Sequence, residues 1–238
     1  MIRPASTVCL LRGEPDGMEV LMVRRASASA FVGGAHVFPG GAVDESDGFQ
    51  LARDAVSGVD DPEMLPWVAA ALREAAEESG VLVLSTSDPH PDLFGLHGTE
   101  LYEALVTTSL TLDGGRLAYL SNWVTPPGEP RRFDTRFFLA EVAPGTAAHP
   151  DEHEVTDATW ITPAAALERA KQKDWFMLPP TVLTLRTLAR FETPSEAVAF
   201  ARSQDQIPRI EPKLVIGEGG SIRILMPGQP GYDDPPRM

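Results

Sequence analysis

Phe38-Pro39-Gly40-Gly41 opens, and Arg73-Glu74-Ala75-Ala76-Glu77-Glu78-Ser79-Gly80-Val81 closes, the stretch around which the rest of the chain is read. The closing run reads as the end of a helix. Trp67 to Glu78 is rich in Ala, Leu and Glu, Pro66 suits a first helical position, and Gly80 suits a left-handed C-terminal cap. Helical spacing predicts Glu74, Glu77 and Glu78 on one face, three carboxylates on one patch. Such a patch resists ionisation unless a cation sits in it, because each negative charge raises the pKa of its neighbours. Oxygen-only ligands favour Mg2+ or Mn2+ over zinc. The alternative is an ordinary solvated helix face, with Arg73 and Glu77 as an i,i+4 pair of about 0.2–0.5 kcal/mol. Gly40 and Gly41 weigh toward a site, since glycine lets backbone approach a ligand or metal where a side chain would not fit.

Together the two runs resemble the Nudix box: Gly, five residues, Glu, seven residues, Arg-Glu, an apolar residue, any residue, Glu-Glu, any residue, Gly and an apolar residue. Gly41 and the whole of Arg73 to Val81 match. The first box Glu would fall at position 47, which is Asp47, and the Arg at 55; it is Arg73, so 18 residues are inserted, roughly Gly48 to Pro66. The insert is expected to be a surface loop. Asp47 or the displaced Glu63 takes the place of the missing Glu, with Asp47 preferred by position.

The resemblance implies an α+β fold, the Nudix α/β/α sandwich with a mixed sheet. It also implies metal-dependent cleavage of a diphosphate joined to a nucleoside. Glu74, Glu77 and Glu78, with backbone at Gly40, would hold Mg2+ or Mn2+. Glu152 or Glu154, after the box, would add a carboxylate as ligand or base. Arg73 would orient the carboxylates, and the general base is one of Glu77, Glu152 and Glu154. A homodimer belongs to the same likeness.

A second pattern precedes the box in coenzyme A diphosphatases of this superfamily. Leu21-Met22, Arg25, Ala26, Gly34 and Phe38-Pro39-Gly40-Gly41 fit it, whereas Val23 replaces its Thr and Ala30 its second Arg. A box split by an insert also resembles the peroxisomal type and its bacterial relatives. The implied substrate is coenzyme A or an acyl-coenzyme A. Two alternatives stand beside it: an NADH or ADP-ribose diphosphatase, and a catalytically silent nucleotide-binding sensor. Arg25 and Gly41, with the basic group Arg131, Arg132 and Arg136, are the candidate substrate contacts, because arginines grip phosphate bidentately.

The chain has 238 residues, 43% of them hydrophobic, enough for one sizeable core, read as a single domain with a C-terminal helical and hairpin extension over 179–238. Its 34 acidic and 20 basic residues leave a net charge of -14. That charge disfavours nucleic acid and anionic membranes as partners, and a polyanionic substrate such as the nucleotide the resemblance implies would need metal and local arginines. Cys9 is the only cysteine and lies in an apolar run, which points to a packed thiol in a reducing cytoplasm.

Strands are predicted over Ser6–Arg12, Met18–Arg24, Val81–Leu84, Leu117–Trp123, Phe133–Val142 and Ala158–Ile161, with a small-residue loop from Ala26 to Phe38. Helices are predicted over Thr99–Thr108, from Ala164 to Lys173 behind Thr162-Pro163, over Thr181–Phe191 and over Ser195–Arg202. A hairpin of Lys213–Ile216 and Ile222–Met226 ends the ordered part. Trp123, Phe133 and Phe137 are expected in the core. His149 and His153 are not expected to bind zinc, because Pro150 breaks the helix they would need.

Overall fold

The computed structural model describes residues 1–27, 32–86, 93–216 and 222–233. Ala30, the hairpin turn 217–221 and the tail from residue 234 lie outside the described residues. β1 (Ile2–Glu14) and β2 (Gly17–Arg25) form the expected hairpin, with Leu11 opposite Val20 and Glu14 opposite Gly17. Part of the loop expected before the glycine turn is strand. β3 (His36–Val37) pairs with β2, and β4 (Gly40–Ala42) lies antiparallel to β1 with Gly41 opposite Ser6. Two- and three-residue strands carry too little periodicity to be read locally. They exist because β1 and β2 present free edges.

The insert is the main correction. It holds a helix, α1 (Gln50–Ala55), and a strand, β5 (Val56–Ser57), rather than a surface loop. Ala52, Ala55 and Val56, at helical spacing, are buried in the main core. That burial offsets the cost of ordering the segment. α2 (Leu65–Ser79) carries Pro66 in its first turn and ends at Gly80, whose φ of 68° is the left-handed cap expected of it.

Val81 to Leu84, expected as a strand, is irregular backbone with one isolated bridge, Leu84 to Leu112. Its side chains Val81, Val83 and Leu84 still enter the core. The rest follows the predicted order, with two short strands, Leu112–Asp113 and Arg209–Ile210, beyond those predicted: α3 (Thr99–Thr107), β6 (Leu112–Asp113), β7 (Ala118–Val124), β8 (Arg132–Glu141) and β9 (Val155–Ile161). Then come α4 (Pro163–Lys171), α5 (Pro179–Leu188), α6 (Pro194–Arg202), β10 (Arg209–Ile210), β11 (Lys213–Ile216) and β12 (Ile222–Leu225). Thr162 caps α4 by accepting from Ala165 N–H, and Thr193 with Glu196 forms a capping box on α6.

The central sheet runs β10-β7-β8-β1-β2-β3, with β4 also on β1 and β9 on β2. It is mixed, since β1 is parallel to β8 and antiparallel to β2. Strand alternation makes two cores. Val8, Leu10, Phe138 and Ala140 pack against α2 and α3, while Cys9, Leu11, Phe137 and Leu139 pack against α5 and α6. A one-residue slip would exchange both faces, at about 1.5–3 kcal/mol for each large side chain exposed. This is the expected α/β/α sandwich. Trp123 and Phe137 are buried, and Phe133 is half-buried. Among the described residues no helix is long and apolar enough to cross a membrane.

Candidate active site

The β1–β4 pairing brings the glycine turn under the C-terminal half of α2. A Cβ at Gly41 would stand 2.4 Å from Glu74 Oε1, so the closeness bought by this glycine is toward Glu74 rather than toward a substrate. Gly40 N–H donates to Glu78 Oε2 at 2.9 Å. Both glycines therefore serve carboxylates of the helix.

Arg73 sits at the centre and is only 2% exposed. Its Nε and Nη2 donate to Asp47 at 2.9 and 3.0 Å, and Nη2 also reaches the carbonyl of Ala42 at 3.1 Å. Nη1 is shared between Glu74 Oε1 at 2.8 Å and Glu77 Oε2 at 2.9 Å. Burial works against its charge, but the bond to Asp47 and the charges of Glu74, Asp47 and Glu77 outweigh it and hold the guanidinium protonated. Asp47, fully buried, also accepts from Asp44 N–H at 2.8 Å and from the Tyr102 hydroxyl at 2.7 Å. Of the two candidates for the missing box Glu, it is Asp47 that meets Arg73; Glu63 is exposed.

The three carboxylates expected in one patch are not equally free. Glu77 is committed elsewhere, with Oε2 on Arg73 and Oε1 accepting from Gly98 N–H at 2.6 Å. Helix geometry gives the reason. At about 100° per residue, Glu74 and Glu78 lie about 40° apart around the axis, while Glu77 lies about 60° to the other side of Glu74.

From outside α2, the charge of Glu154 acts on both Glu74 and Glu78. Asp151 accepts from the backbone N–H of His153, Glu154 and Val155 at 3.2, 3.1 and 2.9 Å, folding the segment into a tight turn. The Glu154 carbonyl accepts from Ala26 N–H at 2.8 Å, which docks the turn beside Arg25 at the end of β2. Glu154 is among the charges that raise the pKa values of both Glu74 and Glu78. Glu152, expected as a metal ligand, instead occupies the turn's left-handed position, φ 63°, and is exposed.

Burial first, then the Glu77 charge, pushes Glu74 up to about 7 against the pull of Arg73. Burial and the Glu74 charge hold Glu78 well above the usual carboxylate range, opposed by the Gly40 N–H. Among the described residues no three acidic, His or Cys groups are already drawn together as a metal cage. The site nevertheless suits a hard cation. Glu78 Oε1 is buried without a hydrogen-bond partner, 4.0 Å from Arg25 Nη1, and the carboxylate oxygens of Glu74 and Glu78 are the hard ligands such a cation takes.

These shifts set a pH dependence. Between about 4.5, where an unfolded Glu titrates, and about 7, where folded Glu74 does, the folded chain binds more protons than the unfolded one. Metal-free protein is therefore expected to lose stability as pH rises from 5 to 8, by about 2–4 °C in thermal midpoint per kcal/mol. Added Mg2+ should raise the midpoint more at pH 8 than at pH 5. A midpoint that climbs over this range in EDTA would contradict the burial of these carboxylates.

The basic group does not assemble. Arg132 donates to Glu211 at 2.7 Å and to the Thr125 carbonyl at 2.9 Å. Arg136 lies over the Trp67 ring at 3.7 Å and against the Met64 sulfur. Arg131 is exposed. Arg132 and Arg136 share a face of β8, but four residues of strand separate them by about 13 Å. Arg25 is the candidate substrate contact that stands at the carboxylates. Tyr102 and Gly98 went unread in the sequence. The one available signal was a tyrosine among the apolar residues of a short helix, which needs a polar partner once buried.

The family model described as the NUDT19 Nudix domain matches residues 111–188. The acyl-coenzyme A diphosphatase NUDT19 of Homo sapiens is 27% identical over 288 aligned positions, covering 97% of this chain and 76% of that protein. Its counterpart in Gallus gallus is 28% identical, covering 98% and 80%. The crystal structure of a NUDIX hydrolase from Alicyclobacillus acidocaldarius superposes with a TM-score of 0.73 at 31% identity, covering 84% of this chain and 96% of that one.

Proposed function

Since the chain belongs to the Nudix hydrolase family, we propose that it is a Mg2+- or Mn2+-dependent hydrolase of the diphosphate in coenzyme A or an acyl-coenzyme A. The observation that carries the hydrolase reading is the meeting of Glu74 and Glu78 with Gly40 and Gly41, with the charge of Glu154 acting on both. The choice of coenzyme A rests on relatives named acyl-coenzyme A diphosphatase over nearly the whole chain, and on the pattern from Leu21 to Gly41.

Glu74 and Glu78 would hold the cation, whose charge neutralises phosphate oxygens and lowers the pKa of water. Arg73 stays behind them and fixes the Glu74 carboxylate through Nη1. The Gly40 N–H fixes one oxygen of Glu78 and leaves the other turned over to the site. Arg25 supplies a cation for a phosphate oxygen. Glu154, exposed and anchored by its own backbone, accepts the proton of attacking water at its carboxylate. The same reading takes the protein as cytoplasmic and as a homodimer.

A substrate panel with Mg2+ and mass detection of both products tests this. Coenzyme A or an acyl-coenzyme A should give the fastest turnover, with products that locate the cleaved bond. Turnover of NADH or ADP-ribose without coenzyme A would move the assignment to those substrates, and binding without turnover at any Mg2+ or Mn2+ concentration would make it a sensor.

A further inference from the structure

The polar network around Arg73 begins and ends on one helix outside the box. The Tyr102 hydroxyl donates to Asp47 Oδ1, Asp47 grips Arg73, Arg73 Nη1 donates to Glu77, and Glu77 Oε1 accepts from the Gly98 N–H. Gly98, the N-cap of α3, and Tyr102 are four residues apart, one helical turn. α3 is therefore joined to the network at two points, and Nη1, held between them, is also the atom that donates to Glu74. Asp47, Arg73 and Tyr102 are each 2% exposed or less, so water does not substitute for a missing partner.

Asp47 stands where the box pattern has Glu, and its side chain is one methylene shorter. Its two oxygens accept four hydrogen bonds from three groups: the Arg73 fork, the Asp44 N–H and the Tyr102 hydroxyl. The hydroxyl touches the Oδ1 that also takes Arg73 Nε. A longer carboxylate on the same backbone would run into it. We propose that Asp47 and Tyr102 act as one unit in place of the box Glu, and that Tyr102 is a positioning residue which, through Asp47 and Arg73, sets Glu74 for cation binding. This rests on the metal-dependent reading above and adds a residue from α3 to the machinery.

The test is Mn2+ binding followed by electron paramagnetic resonance on the full-length chain, beside the Mg2+ dependence of turnover. Tyr102→Phe should weaken Mn2+ binding by about tenfold, the low end of what outer-shell partners of a metal site contribute. Its rate loss should be larger at limiting than at saturating Mg2+. A purely structural role would reduce the folded fraction and leave the affinity of the remainder unmoved. Asp47→Glu alone should also weaken Mn2+ binding, because its carboxylate meets the hydroxyl. Asp47→Glu combined with Tyr102→Phe should bind more tightly than either single variant, since the longer acid fills the space the hydroxyl leaves. Wild-type affinity in Tyr102→Phe, or a double variant no better than the singles, overturns the pairing while the hydrolase reading stands. Absence of Mn2+ binding in the unmodified protein overturns both.

Discussion

Replacing Glu78 by Gln is expected to lower metal-dependent turnover by about 10²–10³-fold, the equivalent of several kcal/mol of lost charge stabilisation at the cation. The substitution keeps the volume and an acceptor for the Gly40 N–H. What it removes is the negative charge at a buried, unpartnered oxygen. Folding should not suffer. Glu78 is held well above the usual carboxylate range by burial and by Glu74, so a neutral side chain suits the metal-free site as well as the acid does. In EDTA at pH 8 the thermal midpoint of Glu78→Gln should equal or exceed that of the parent. Turnover within about threefold of the parent, less than 1 kcal/mol of barrier, would remove Glu78 from the proposed site.

Arg73→Met should have the largest effect on stability. Arg73 is the shared cation of Asp47, Glu74 and Glu77, all three of them buried. Removing one partner of a buried ion pair leaves uncompensated charge and costs about 3–5 kcal/mol, well above the 0.2–0.5 kcal/mol of an exposed i,i+4 pair. Unfolding in urea at pH 7.5 should show that loss, and lowering the pH should recover part of it as the carboxylates protonate. Arg73→Lys should fall between, since an ammonium restores charge without the fork that holds Asp47 through two nitrogens. A loss below about 1 kcal/mol in Arg73→Met would mean that the pair behaves as a surface bridge, the solvated-face reading that the spacing alone left open.

How far the sequence reached differs from residue to residue. Gly80 as a left-handed cap, Thr162 as an N-cap and the alternation of Phe137 and Phe138 between two faces are local patterns, and each is read from neighbours in the chain. The insert is the place where a local reading fails, because the i, i+3, i+4 spacing of Ala52, Ala55 and Val56 spans too few residues to mark a helix. Its burial comes from α2 and α3, which share the core with Ala52, Ala55 and Val56. Arg131, Arg132 and Arg136 looked like one basic group because they are close in number, yet an extended strand spreads them along its length.

By itself the sequence determined the helix bearing the acids and its cap, because hydrophobic periodicity and capping residues act within a few positions, while the sandwich followed from the resemblance to the Nudix family. Only the tertiary structure decided which acids meet. The Asp151 turn docks on β2 and sets Glu154 where its charge acts on Glu74 and Glu78, and Glu77 Oε1 accepts from the Gly98 N–H. It also chose Asp47 over Glu63 for Arg73 and recruited Tyr102 from α3. A buried charge takes whichever partner the packing brings within about 3 Å, and that distance is set by contacts tens of residues away in the chain.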